Sequence, residues 1–150
     1  MSRSVRFLPL LLLALVPPTV LLSSAAAQEH AHAAAAPADS VPLLTNLGDH
    51  GYAISSRVAQ VQEYFNQGMR LYYGFNHAES IRAFRHAAEL DPQCAICHWG
   101  IALAHGPNIN APMDSAAGVA AYGAIQAARE LSADASDVER GLIDALATRY

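Results

Sequence analysis

The chain has 150 residues, 53% of them hydrophobic, with nine arginines, no lysine, 13 acidic residues and a formal net charge of −4. This length and apolar content predict one folded domain with its own core and exclude an intrinsically disordered chain. The acidic balance argues against nucleic acid and anionic membranes as partners, because both are bound through excess positive charge.

The first 27 residues have the three regions of a secretory signal peptide. Arg3 and Arg6 precede an apolar run over residues 7–22, and small residues follow at 24–27. The run spans 16 residues and contains prolines, whereas a membrane-spanning helix needs about 20 residues. We therefore expect cleavage after Ala27, a periplasmic or secreted mature chain and no stable membrane insertion.

Residues 28–54 follow as a linker that we expect to be disordered or irregular, because its first part is a low-complexity stretch of alanine and proline. Apolar residues spaced three and four apart then predict a first helix from Ser55 or Ser56 to about Phe75. Asn76 with Glu79 predicts a capping box at the start of a second helix, which ends where a proline follows Asp91. Two such helices joined by a tight turn form an antiparallel hairpin.

Six residues of this hairpin fall on the fixed offsets of one repeat pattern: Tyr64, Gly68, Ser80, Phe84, Ala87 and Pro92. On these residues the chain resembles a tetratricopeptide repeat protein, and it is similar in kind to exported bacterial proteins of that family. Gln67 and Leu71 depart from the pattern, which usually has Leu and Tyr there. The resemblance implies an all-α fold, an α-solenoid of antiparallel helical hairpins after a cleavable signal peptide, over residues 55–150.

The same register divides that region into a first repeat at about 61–94, a second at about 95–135 and the start of a third unit at 136–150. A third helix is predicted from Pro92 to Ala104, with Asp91 as its cap. Asp114 caps a fourth helix, displaced by about seven residues through an inserted loop at 108–113. Ser136 and Glu139 predict a capping box for a fifth helix.

Both cysteines lie in the sequence Cys94-Ala-Ile-Cys97-His98. C-x-x-C-H is the attachment sequence for c-type haem, with two thioethers to the cysteines and His98 as a ligand of the iron. A cysteine pair at a helix start also suits a redox dithiol, and the three side chains could contribute to a zinc site. The repeat register instead predicts that Cys97 and His98 are core residues, with the two thiols buried or joined as a disulfide.

No catalytic motif is found: there is no G-x-S-x-G, no phosphate-binding glycine loop and no H-E-x-x-H. The sequence therefore predicts a non-catalytic, cofactor-free scaffold that binds other proteins or peptides, with a monohaem electron carrier as the alternative. Its expected binding face consists of Asn66, Arg70, Tyr73 and Asn76. Glycines inside predicted helices are expected at close-packed positions, namely Gly100, Gly118, Gly123 and Gly141.

Overall fold

The computed structural model describes residues 40–150, so the predicted signal peptide and residues 28–39 lie outside the described part. Within residues 40–150 the regular structure is entirely helical, apart from one isolated bridge between Asn108 and Ala111. This confirms the all-α class. The elements are α1 (Ala59–Tyr73), α2 (His77–Leu90), α3 (Ala95–His105), α4 (Ser115–Glu130), a 3₁₀ turn (Ser132–Asp134) and α5 (Asp137–Ala147).

The polar residues that begin three of these helices act as predicted. Asn76 Oδ1 accepts from Glu79 N at the start of α2, and Asp114 Oδ1 accepts from Ala117 N at the start of α4. Ser136 and Glu139 form the complete capping box of α5. The capping box predicted for α2 is wrong in one half, because the Glu79 carboxylate pairs instead with Arg82 at 3.0 Å.

Two helices begin later than the sequence indicates. The Ser56 hydroxyl donates to Asp91 Oδ2 at 2.6 Å, and α1 starts only at Ala59. Asp91 does not cap α3 directly, because the chain turns first and Cys94 N donates to Asp91 O at 3.0 Å. Cys94 is consequently the residue that precedes α3. Both side chains also accept from the backbone two residues on, Ser56 from Val58 N and Asp91 from Gln93 N, so each forms a local turn ahead of the helix.

The turn between α1 and α2 contains Phe75 in the left-handed conformation, with φ of 60°. Phe75 N donates to Tyr72 O and Asn76 N donates to Leu71 O, which is the hydrogen-bond pattern that closes a helix with a left-handed residue. Glycine is the usual residue at such a position, so a phenylalanine here costs about 1–2 kcal/mol. The turn is tight, and α1 and α2 pack against each other along their length.

The core forms around Phe84 of α2, which is completely buried. A Cβ atom added at Gly68 of α1, or at Gly100 of α3, would lie 2.6 Å from the Phe84 ring. Both helices can approach the ring this closely only because neither residue has a side chain. The expected close packing at Gly100 is confirmed, but it is wrong for Gly118, Gly123 and Gly141, where an added Cβ meets nothing closer than 3.6 Å.

The remaining helices complete one continuous core. α3 packs on α2 and α4, while α5 packs on both α3 and α4. Trp99 of α3 donates its indole N–H to Leu142 O of α5 at 3.0 Å, and Tyr150 OH donates to Ala102 O at 2.9 Å. None of the helices in residues 40–150 has both the length and the apolarity needed to cross a membrane.

Candidate functional site

The two cysteines are joined as a disulfide at the start of α3. Their Cα atoms are 5.3 Å apart, as the i, i+3 spacing around a helix start allows. Cys94 is 5% exposed and Cys97 is fully buried, so the bond is part of the core surface that α3 presents to its neighbours. A buried disulfide is poorly placed for exchange with an external thiol, because the attacking thiolate needs access to a sulfur atom.

His98 follows the disulfide and is half-buried. Burial lowers the pKa of its imidazole below the ordinary value. Covalent haem would need both sulfur atoms free and directed to one porphyrin, whereas here they are bonded to each other and Cys97 is enclosed. Among residues 40–150, no three His, Cys, Asp or Glu side chains are grouped so as to hold a metal ion.

The expected binding face on α1 is partly covered by the protein's own chain. Asn66 Oδ1 accepts from Tyr52 N at 3.0 Å, and Arg70 Nε donates to His50 O at 2.5 Å. Asn76 uses its side-chain oxygen to cap α2. Tyr73 is 64% exposed, with its ring edge-on to His50 at 6.4 Å between ring centroids. The structure therefore brings Asn66 and Arg70 together on one side of α1, while Asn76 lies at a helix cap.

Two glutamines that the binding-face prediction omitted complete this surface. Gln67 is 4% exposed, donates to Pro42 O at 3.0 Å and accepts from Leu44 N at 2.7 Å. Gln62 donates to Tyr52 O at 2.7 Å and accepts from Ile54 N at 3.0 Å. The sequence does signal Gln67, since a polar residue stands there at a position where the repeat pattern has Leu.

Both glutamines bind the chain in the same way. Each side-chain amide satisfies the carbonyl of one residue and the N–H of the residue two positions later, 42 and 44 for Gln67 and 52 and 54 for Gln62. A side-chain carboxamide has a C=O acceptor and N–H donors, as a peptide group does. It can therefore form the hydrogen bonds that a neighbouring strand would form in a sheet. This side of α1 therefore binds backbone groups of residues 42–54 through side-chain amides.

Glu139 anchors the end of the same N-terminal segment. Its carboxylate is 1% exposed and accepts from Ser55 N and from Ser136 N, each at 2.8 Å, and from both serine hydroxyls. Burial alone would raise the pKa of the Glu139 carboxyl, but these hydrogen bonds outweigh burial and hold the pKa below its ordinary value. The carboxylate thus joins Ser55 to the start of α5.

A cleft of about 290 Å³ opens beside these groups. Its wall includes Ser55, Asp91, Cys94 and Glu139, so the disulfide borders it from the side of α3. Two of the three carboxylates in the wall are engaged, Asp91 by Ser56 and Glu139 by Ser55 and Ser136, and the third is that of Asp134. The cleft is a small recess whose lining is more apolar than polar.

Protein-family models, curated proteins and solved structures were each compared with the chain, and none of them matches. Function is therefore inferred from the geometry of the α1 surface and of the disulfide.

Proposed function

We propose that the chain is an exported helical-repeat scaffold of the tetratricopeptide kind, which binds other proteins or peptides and catalyses no reaction. The observation that carries this proposal is the polar side of α1. Gln62, Asn66 and Gln67 hold backbone groups of residues 42–54 through side-chain amides. A helix surface that already binds one extended polypeptide has the chemistry to bind another.

The packing of the first three helices supports the repeat architecture. Small residues allow two helices to approach closely, and the Ser80 hydroxyl donates to Gly68 O at 2.8 Å across the α1–α2 contact. The Phe84 ring lies against both Gly68 of α1 and Gly100 of α3. These contacts connect successive hairpins through nearest neighbours, as stacked repeats require.

Exposed aromatic residues beside the α1–α2 turn supply a second element of a protein-binding surface. Tyr73 is 64% exposed and Phe75 is 57% exposed. Aromatic side chains are enriched at protein interfaces, because they bury a large apolar area at a small cost in side-chain entropy. Phe75 is also held in a conformation that disfavours bulky residues, which supports a role for its ring outside folding.

The disulfide supports export and a structural role for the cysteines. Disulfides persist in oxidising compartments such as the periplasm and the extracellular space, and are rare in reducing cytosol. Cys94 and Cys97 are both buried in the core, where they link the start of α3 to its first turn. This favours the scaffold over an electron carrier with haem on Cys94, Cys97 and His98.

Site-specific photo-crosslinking tests the scaffold proposal. A photoreactive residue at Tyr73 is expected to crosslink a partner protein in cells, whereas the same residue at Val138, which is 61% exposed on α5, is the control. The captured protein is then purified and its affinity measured. We expect Tyr73→Ala to weaken that affinity at least about tenfold, as for a central interface aromatic. Equal crosslinking from both positions, or unchanged affinity in Tyr73→Ala, would contradict the proposal.

A further inference from the structure

The side chains of Gln62, Asn66 and Arg70, here called the polar ladder, lie four residues apart along α1. They bind Ile54 N and Tyr52 O, Tyr52 N, and His50 O respectively. Gln62 spans residues 52 and 54, Asn66 shares Tyr52 with it, and from Asn66 to Arg70 the contact moves two residues back along the N-terminal segment. Four helical residues rise about 6 Å, and two extended residues cover about 6.6 Å, so the two periods nearly match.

This match makes the polar ladder a template for an extended chain that runs antiparallel to α1. The ladder is also connected within itself, because Gln62 Nε2 donates to Asn66 Oδ1 at 3.0 Å. All its contacts with residues 50–54 are to backbone atoms. Backbone contacts alone would accept many sequences, so selectivity must come from the space around the bound residues.

Gly51 supplies the first restriction. A Cβ atom added at residue 51 would lie 3.0 Å from Asn66 Nδ2 and 3.3 Å from Asn66 Cγ. Asn66 cannot retreat freely, since its Oδ1 accepts from both Tyr52 N and Gln62 Nε2. The position that faces Asn66 therefore excludes larger residues, and a β-branched one most strongly.

The next three residues alternate between partly buried and exposed side chains. Tyr52 and Ile54 are partly buried and pack against the core, with the Tyr52 ring centroid 6.4 Å from that of Phe65. Ala53, between them, is exposed. Alternate side chains of an extended chain point to opposite faces, so one face meets the core and the other meets solvent. The site thus selects glycine, an aromatic residue, any residue and an aliphatic residue, in that order.

We propose that the polar ladder is a binding site for an extended segment of another protein with the sequence glycine, aromatic, any, aliphatic, and that residues 51–54 are its internal occupant. This inference rests on the proposed scaffold function and specifies the partner for one of its surfaces. A tethered occupant competes at an effective concentration of about millimolar. A foreign segment therefore binds only weakly until the internal one is displaced.

The test uses the full chain and a fluorescein-labelled peptide with the sequence of residues 49–55. Gly51→Val gives the internal segment a side chain that clashes with Asn66. The polar ladder itself is unchanged in this variant. Ala53→Val is the matched control, because it adds bulk on the exposed side of the same segment. We expect the peptide to bind Gly51→Val at least about tenfold more tightly than the wild type or Ala53→Val.

Two further variants verify the site. The first is a peptide with valine in place of glycine at position 51, which should not bind the Gly51→Val protein. The second is the Gly51→Val protein with Gln62→Leu added, which should no longer bind the original peptide. Hydrogen exchange separates release of the segment from unfolding: Tyr52 and Ile54 amides should lose protection in Gly51→Val, while α2 amides keep theirs.

Equal peptide affinity for the wild type, Gly51→Val and Ala53→Val would overturn the proposal, as would binding that Gln62→Leu leaves unchanged. The wild type could instead form a dimer that Gly51→Val abolishes. The ladder would then bind a second copy of this chain, and the assignment of the partner as another protein would be overturned. Failure of the peptide experiment with specific crosslinking from Tyr73 would refute the ladder site alone. Loss of both would refute the scaffold function as well.

Discussion

Glu139 connects the N-terminal segment to the start of α5 through one buried carboxylate. It completes the capping box of α5 with Ser136 and receives hydrogen bonds from the backbone and hydroxyl of Ser55. Because those donors stabilise the ionised form, the pKa of the Glu139 carboxyl lies below its ordinary value in the folded chain. A group of this kind contributes stability above its unfolded pKa, and the contribution is lost as pH falls through the folded pKa.

We therefore expect Glu139→Gln to lower the free energy of unfolding at neutral pH, with the difference from the wild type shrinking as the pH falls below the ordinary glutamate value of about 4.3. Urea unfolding at a series of pH values measures it. Glu130→Gln on the exposed end of α4 is the control and should follow the wild type throughout. A Glu139→Gln difference that stays constant down to strongly acidic pH would contradict this account.

The residues of the α1 surface show what local sequence can indicate. Asn66 and Arg70 could be assigned to a polar helix side from their spacing, because that depends only on the helical period. Gln67 could be noticed only as a departure from the repeat pattern, and its partners, Pro42 and Leu44, lie more than 20 positions earlier in the chain. Pairing across such a separation depends on the folded backbone, which no local pattern specifies.

At the level of elements, Phe84 determines how α1, α2 and α3 approach one another. Its ring contacts the backbone at Gly68 and at Gly100, so any side chain at either glycine must displace the ring or a helix. Densely packed interiors resist such insertion, and overpacking costs about 1–3 kcal/mol. Gly123 lies inside α4 and differs, because an added Cβ there meets nothing within 4 Å.

The two glycines should respond in opposite directions to the same substitution. We expect Gly100→Ala to destabilise the chain by about 1–3 kcal/mol despite the better helix propensity of alanine, because the added methyl group meets Phe84. Gly123→Ala should stabilise it by about 0.5–1 kcal/mol through propensity alone. Thermal or urea unfolding of both variants checks this, and equal stability changes of one sign would show that Phe84 does not limit the packing.

The helix starts illustrate where element prediction succeeds and where it stops. The caps at Asn76, Asp114 and Ser136 were predictable because a cap and its partner N–H lie within three residues. The late starts of α1 and α3 were not, since Ser56 pairs with Asp91, 35 positions away. A serine that resembles a helix start in sequence is here part of a contact between distant segments.

For the whole molecule, the disulfide relates the fold to its compartment. Closing a loop of only a few residues is expected to contribute about 2 kcal/mol through the unfolded state. Reduction with dithiothreitol should therefore lower the free energy of unfolding by about that amount, while a double variant, Cys94→Ala with Cys97→Ala, should be insensitive to the reductant. Thiol titration of the unfolded, unreduced chain should find no free thiol.

The absorption spectrum of the protein tests the haem alternative. Protein expressed with a cytochrome maturation system should show no Soret band that survives denaturation, because both sulfur atoms are committed to one bond. A persistent Soret band would mean that Cys94 and Cys97 carry haem, and it would overturn the scaffold interpretation of this segment. The mature N-terminus, expected at Gln28, can be sequenced on the same sample and tests export.

On this scale the order of the helices was predictable from sequence, because each helix has its own apolar periodicity and its own capping or helix-breaking residues. The course of residues 40–54 was not. The stretch lacks a helical or strand period, so it reads as a linker, yet its backbone is held by Gln62, Gln67 and Arg70 of α1. Irregular segments whose hydrogen bonds go to side chains leave no periodic pattern in the sequence.

Trp99 is the only tryptophan of the chain, and its indole N–H reaches across to Leu142 O while its ring is 8% exposed. Water reaching an indole shifts its fluorescence to longer wavelength. Emission from this single natural fluorophore consequently reports whether the last helix is docked. Transient detachment of that helix can be followed by stopped-flow mixing without attaching a dye.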